Sequence, residues 1–201
     1  MKVYGDIRSG NCYKVKLLMS LLDIAHEWEH VSILDGQTRQ PAFSAMNPNA
    51  KIPVLEIEPG VFLSESNAIL NYLADGTPYL PSDRLQRARV LQWQFFEQYS
   101  HEPYIAVARY ISKYLGLPEE RRAEFLSKQE GGHKALRVME QQLAQTSFLT
   151  GAVYTIADIS LYAYTHVAQE GGFELSGYPA ITAWLERVAA HPKHVTMQQF
   201  I

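Results

Sequence analysis

The sequence predicts a two-part chain, with a small α/β domain over residues 1–76 and an all-helical domain over 84–201. Three observations carry this. Short strand-like and helix-like stretches alternate through the first 75 residues. The punctuated run Asp75-Gly76-Thr77-Pro78-Tyr79-Leu80-Pro81-Ser82 then reads as a linker. Beyond it no convincing strand appears, only helical patterns.

Lys2-Val3-Tyr4-Gly5 is the expected first strand, and Asn11 can cap a helix running to about residue 22. Within that helix Val15, Leu18, Met19 and Leu22 recur at i, i+3, i+4 and i+7, an apolar face. Residues 26–33 and 53–57 read as further strands. Glu58-Pro59-Gly60 turns the second of these into a short Val61-Phe62-Leu63, and residues 65–74 close the α/β part as a helix. In the second part residues 85–114 form one long helical pattern with Pro103 as its expected kink. Residues 119–143, 155–168 and 179–190 supply three more helices. Thr155-Ile156-Ala157-Asp158 is a capping-box variant, Thr as N-cap with an acidic residue at N3.

Composition excludes several classes. Eighteen Lys+Arg against 21 Asp+Glu give a formal charge of −3, without the basic excess that phosphate binding uses, so nucleic acid is not expected as a partner. The single Cys12 excludes an internal disulfide framework and a cysteine-cluster zinc site. No apolar run approaches the ~20 residues of a membrane span, and Met1-Lys2-Val3-Tyr4 opens no signal-peptide core. The expected compartment is the cytoplasm. His26-Glu27-Trp28-Glu29-His30 matches H-E-x-x-H, but that motif needs a helix to converge its histidines. On a strand they stand about 13 Å apart, so no metal is expected.

The informative segment is Asp6-Ile7-Arg8-Ser9-Gly10-Asn11-Cys12-Tyr13-Lys14, where a strand ends, a polar loop follows and a helix begins. Helix N-termini carry unpaired N–H groups and about half a positive charge, so they stabilise anions. Ser9 and Asn11 add side-chain donors there, although any helix start favours these two residue types.

Two further stretches give this loop a meaning: Asn47-Pro48-Asn49-Ala50-Lys51-Ile52-Pro53-Val54-Leu55 and Leu63-Ser64-Glu65-Ser66-Asn67-Ala68-Ile69-Leu70-Asn71-Tyr72-Leu73. With Phe148-Leu149-Thr150-Gly151 and Thr155-Ile156-Ala157-Asp158 they resemble, in order, three linked motifs of the cytosolic glutathione transferase family. Pro53 matches its cis-proline. The resemblance covers almost the whole chain and points to a serine-type member, theta- or nu-like in bacterial style. It implies a thioredoxin-like domain, a helical domain and a homodimer, with residues 65–74 and the helix from Leu85 near the interface.

By the resemblance, glutathione is the co-substrate and no metal is needed. Glu65 and Ser66 hold its γ-glutamyl group, Ile52 pairs main chain with its cysteinyl unit, and Lys51 faces its glycyl carboxylate. Where some serine-type classes carry a histidine for that carboxylate, this chain has Thr38, beside Arg39 and Gln40. Ser9 falls where the catalytic hydroxyl is expected, with Asn11 as the alternative; Tyr4 lies too early, and Cys12 lies inside the helix as a packing residue. Tyr104 and Ala108, with Tyr99 and Tyr110, fall by position in the helix expected to meet a small hydrophobic electrophile. A thiol with pKa near 8.5 is only about 3% thiolate at pH 7, and lowering it by ~2 units takes about 2.7 kcal/mol. One hydrogen bond to the anion plus a helix N-terminus is of that size. The expected activity is thiolate attack on electrophiles, as in detoxification. The alternatives are glutathione-dependent disulfide or peroxide reduction, or a non-catalytic interaction protein of the same fold.

Overall fold

Strand β1 (Lys2–Gly5) buries Val3 and Gly5 and half-buries Lys2 and Tyr4, the period-two pattern of a strand lying on a core. It pairs in parallel with β2 (Glu27–His30), Val3 opposite Trp28, and antiparallel with β3 (Val54–Glu58), Val3 opposite Leu55. The Pro59-Gly60 turn brings β4 (Val61–Ser64) back along β3, giving a four-stranded mixed sheet in the order β2-β1-β3-β4. A parallel pair needs a crossover, which helix α1 (Gly10–Leu21) supplies between β1 and β2. Helix α2 (Pro41–Met46) lies between β2 and β3, and α3 (Ser66–Ala74) follows β4 and packs on α1. This is the thioredoxin-like domain that the family resemblance implies.

The structure, a computed structural model, describes residues 1–199. It divides into two units, Met1–Asp75 together with the tail from Pro192, and Gly76–His191. The tail was expected with the helices. It belongs instead to the α/β unit because α1 donates to its main chain: Tyr13 to Val195 O at 2.7 Å, Ser20 to Lys193 O at 2.8 Å, and Lys16 to Thr196 O and Met197 O at 3.2 and 3.1 Å. Lys16 Nζ also reaches Gln199 O. Helix α1 is therefore buried nearly all round, Lys14 and Lys16 included, rather than on one apolar face. Its cap is Ser9, not Asn11. At Gly5 an added Cβ would stand 2.6 Å from Cys12 Sγ, so glycine lets the strand approach the helix.

In the second unit the run 84–114 is helical throughout but yields twice. Helix α4 (Arg84–Phe96) passes through a π-turn at Glu97–His101 into α5 (Glu102–Arg109), and a second π-turn occupies Tyr110–Tyr114. Pro103 sits in the first turn of α5, where a missing N–H is tolerated, so the irregularity precedes the proline. Helices α6 (Arg122–Leu143), α7 (Ile156–Thr165) and α8 (Pro179–Ala189) complete the unit. All ten residues of α7 are buried, and the expected capping box starts it. Its Asp158 accepts from Leu149 N, Thr155 N, Thr155 Oγ1 and Trp184 Nε1, while burial pushes its carboxyl up to about 6.

Candidate functional site

The loop before α1 is fixed by a buried carboxylate. Asp6 accepts from Arg8 N, Arg8 Nε and Arg8 Nη2 at 2.9, 3.1 and 2.8 Å, and its carbonyl accepts from Ser9 N at 2.9 Å. Trp28 Nε1 holds Gly5 O on the other side. Ser9 is thereby set as N-cap of α1, its Oγ accepting from Cys12 N at 3.4 Å. That bond uses a lone pair of the hydroxyl, which has a proton to donate besides. Asn11 lies in the first turn, half-buried.

The second wall is the start of α3. Glu65 is exposed, its side chain makes no cap hydrogen bond, and its φ of 67° lies in the left-handed region. Such a backbone in a non-glycine residue costs about 1–3 kcal/mol and concentrates at functional sites. The adjoining Ser66 is buried, and its Oγ donates to Asn11 Oδ1 at 3.2 Å. Two helix N-termini, 55 residues apart in sequence, are thus joined by one hydrogen bond. Lys14, fully buried, donates to the same Ser66 Oγ at 3.4 Å.

The third wall is the turn before β3. The Ile52–Pro53 bond is cis. Asn47 organises the turn: its Nδ2 donates to Lys51 O at 2.8 Å, its Oδ1 accepts from Asn49 N, and its carbonyl accepts from Ala50 N. Ile52 packs against the cluster of Val31, Phe43 and Val54, while Lys51 is exposed. Thr38 is buried in a 3-10 turn, and Arg39 and Gln40 beside it are exposed.

The other candidates fall elsewhere. Tyr4 is tied to Glu56 Oε2 at 2.9 Å on the sheet. Cys12 has no exposed surface, and burial pushes its thiol up to about 12. Residues Glu27–His30 are strand, so His26 and His30 do not share a helix face. One electrophile contact needs correction: Ala108 is fully buried and has no surface to offer a substrate. Tyr104 is half-buried, one side of its ring lying so close to Gly131 that an added Cβ would stand 2.2 Å away. Tyr99 is exposed, and the Tyr110 ring lies 5.5 Å from that of Tyr114.

Sequence reasoning missed Lys14 and Asn47. Lysine is ordinarily exposed, so its burial is invisible without knowing what covers it. Asn47 left a usable signal, since Asn-Pro-Asn is a turn whose first side chain bonds the backbone two residues on.

A four-stranded mixed sheet flanked by helices, with two helix starts and a cis-proline turn brought to one unit, is the architecture of a thioredoxin-like domain. Residues 8–75 match the family model described as glutathione S-transferase, N-terminal domain, and residues 93–192 the model described as glutathione S-transferase, C-terminal domain. The crystal structure of a glutathione S-transferase from Pseudomonas fluorescens is 64% identical, covers 98% of each chain and superposes with a TM-score of 0.97. A maleylacetoacetate isomerase from Methylobacterium extorquens, solved with malonate and GSH bound, is 28% identical over 96% of this chain and 94% of its own, TM-score 0.81. The disulfide-bond oxidoreductase YfcG of Escherichia coli is 26% identical, covering 90% of this chain and 87% of its own. The chain belongs to the glutathione S-transferase family.

Proposed function

We propose that this chain is a glutathione transferase that holds the glutathione thiol as a thiolate at the start of α1 and offers it to a small hydrophobic electrophile. The observation that carries this is the Ser66–Asn11 hydrogen bond, which sets two anion-stabilising helix starts side by side. In this reading Glu65 and Ser66 take the γ-glutamyl group, Ile52 pairs with the cysteinyl main chain, and Lys51 meets the glycyl carboxylate. Ser9 is the lead donor to the thiolate and Asn11 the second. The protein supplies donors and orientation rather than a base. We infer a homodimer and a cytoplasmic setting on the family pattern; among the described residues no helix is long and apolar enough to cross a membrane.

A second reading, disulfide reduction, is favoured by the similarity to YfcG. With Cys12 buried, it would run on glutathione thiols alone. Isomerisation by reversible thiolate addition, suggested by the isomerase relative, uses the same anion. The test is a turnover screen with glutathione against aryl halides, epoxides, hydroperoxides, mixed disulfides and maleylacetoacetate, with Ser9→Ala beside the parent. Conjugation that falls in Ser9→Ala, with the bound thiol pKa up by about one to two units, is the expected result. Turnover only on disulfides, or only on maleylacetoacetate, moves the reading to reductase or isomerase. Glutathione uptake with no turnover at all makes it a non-catalytic member.

A further inference from the structure

Lys14 is fully buried on α1, a position where an apolar side chain would pack without desolvating a charge. Its Nζ lies 3.4 Å from Ser66 Oγ, and Ser66 Oγ lies 3.2 Å from Asn11 Oδ1. Donor inventory gives this chain a direction. An ammonium only donates; a hydroxyl has one proton and two lone pairs; an amide oxygen only accepts. With the Lys14 ammonium on one lone pair of Ser66, a second donor at the same oxygen is electrostatically disfavoured, so the Ser66 proton goes to the Asn11 oxygen. The two N–H bonds of Asn11, on the other arm of its planar amide, then point away from Ser66. Without a donor behind it, the hydroxyl receives from an amide N–H as readily as it gives to an amide oxygen, and Asn11 loses that preference.

We propose that Lys14 is a positioning residue for the glutathione reaction: through Ser66 it fixes the amide of Asn11 with its N–H groups turned to the thiol end of the site. The proposal rests on the glutathione reading above and assigns Asn11 a defined share in holding the thiolate. It also couples the two ends of the tripeptide site, since the residue at the γ-glutamyl end orients a donor at the thiol end.

The experiment measures the pKa of bound glutathione from its thiolate absorbance, glutathione affinity by calorimetry, and melting temperature. The proteins are the parent, Lys14→Met, Lys14→Arg, Ser66→Ala, Asn11→Ala and the Lys14→Met/Asn11→Ala double variant. Lys14→Met should raise the bound thiol pKa by about one unit, a tenfold loss of thiolate, and Lys14→Arg should restore most of it. Ser66→Ala should raise it in the same direction. In the Asn11→Ala background, Lys14→Met should add nothing, because two members of one chain are not additive. A thiol pKa that does not move in folded Lys14→Met, or moves equally with and without Asn11, overturns the proposal. If Lys14→Met does not fold, Ser66→Ala with an unmoved thiol pKa overturns it. A parent protein that takes up no glutathione overturns the underlying reading, and the proposal with it.

Discussion

Burial pushes the Cys12 thiol from 9.0 up to about 12, against weaker opposing hydrogen bonds from Ser9 and from the Asp6 backbone. Its folded value is raised, so the linked stability is complete below the unfolded value near 9 and is lost as pH climbs toward the folded one. Between pH 9 and 11 the parent should lose about 1.4 kcal/mol per pH unit relative to Cys12→Ala, measured by denaturant unfolding. Iodoacetamide at pH 8 should leave Cys12 unlabelled in the folded protein and label it fully in denaturant. Rapid labelling of native protein would show that the thiol is accessible. Other residues divide by how local their signal is. Ser9, Asn11, Glu65 and Ser66 are legible because each stands at a helix start, where residue type and position carry meaning together. Lys14 is not, since its partner Ser66 lies 52 positions away and only the fold brings them together.

Among the elements, the tail from Pro192 does for α1 what a further helix would. Lys16 is 2% exposed, and the acceptors for its ammonium are the main-chain carbonyls of Thr196, Met197 and Gln199. Burial lowers its pKa, which marks the cost those carbonyls offset. Deleting the chain from Pro192 should destabilise the α/β unit by about 3 kcal/mol, because the buried Met197 and the surface of α1 beneath the strap return to water and the hydrogen bonds to the strap are lost. Lys16→Met should change the full chain little and gain nothing in the truncated protein, where water hydrates the ammonium. Truncation that leaves the melting temperature unchanged would mean the strap contributes nothing. Helices α1 and α3 to α8 were legible because their caps and periodicities are local. Helix α2 was not, at six residues too short for a period to show, and neither were the π-turns flanking α5, which leave the apolar pattern almost unaltered. The one-sided face expected of α1 failed for the reason that Lys14 and Lys16 are covered by segments distant in sequence.

For the whole molecule, apolar surface remains uncovered along α4 and the π-turn that follows it. Leu91, Phe95 and Tyr99 recur every four residues and are 38, 61 and 81% exposed. A groove of about 340 Å³ on α4 and α6 is lined by Trp93, Phe96 and Val138 together with four glutamines. A stripe of this kind marks an interaction surface, and the proposed partner is a second copy. A two-fold pair would place the same stripe on both sides, so one substitution changes the interface twice. Light scattering at micromolar concentration should give twice the chain mass for the parent. Phe95→Glu should shift the protein to single chains while its melting curve, read at low concentration, stays close to that of the dissociated parent. A parent of single-chain mass would refute the dimer outright. A Phe95→Glu variant that keeps the doubled mass would leave the dimer standing but remove this stripe from its interface.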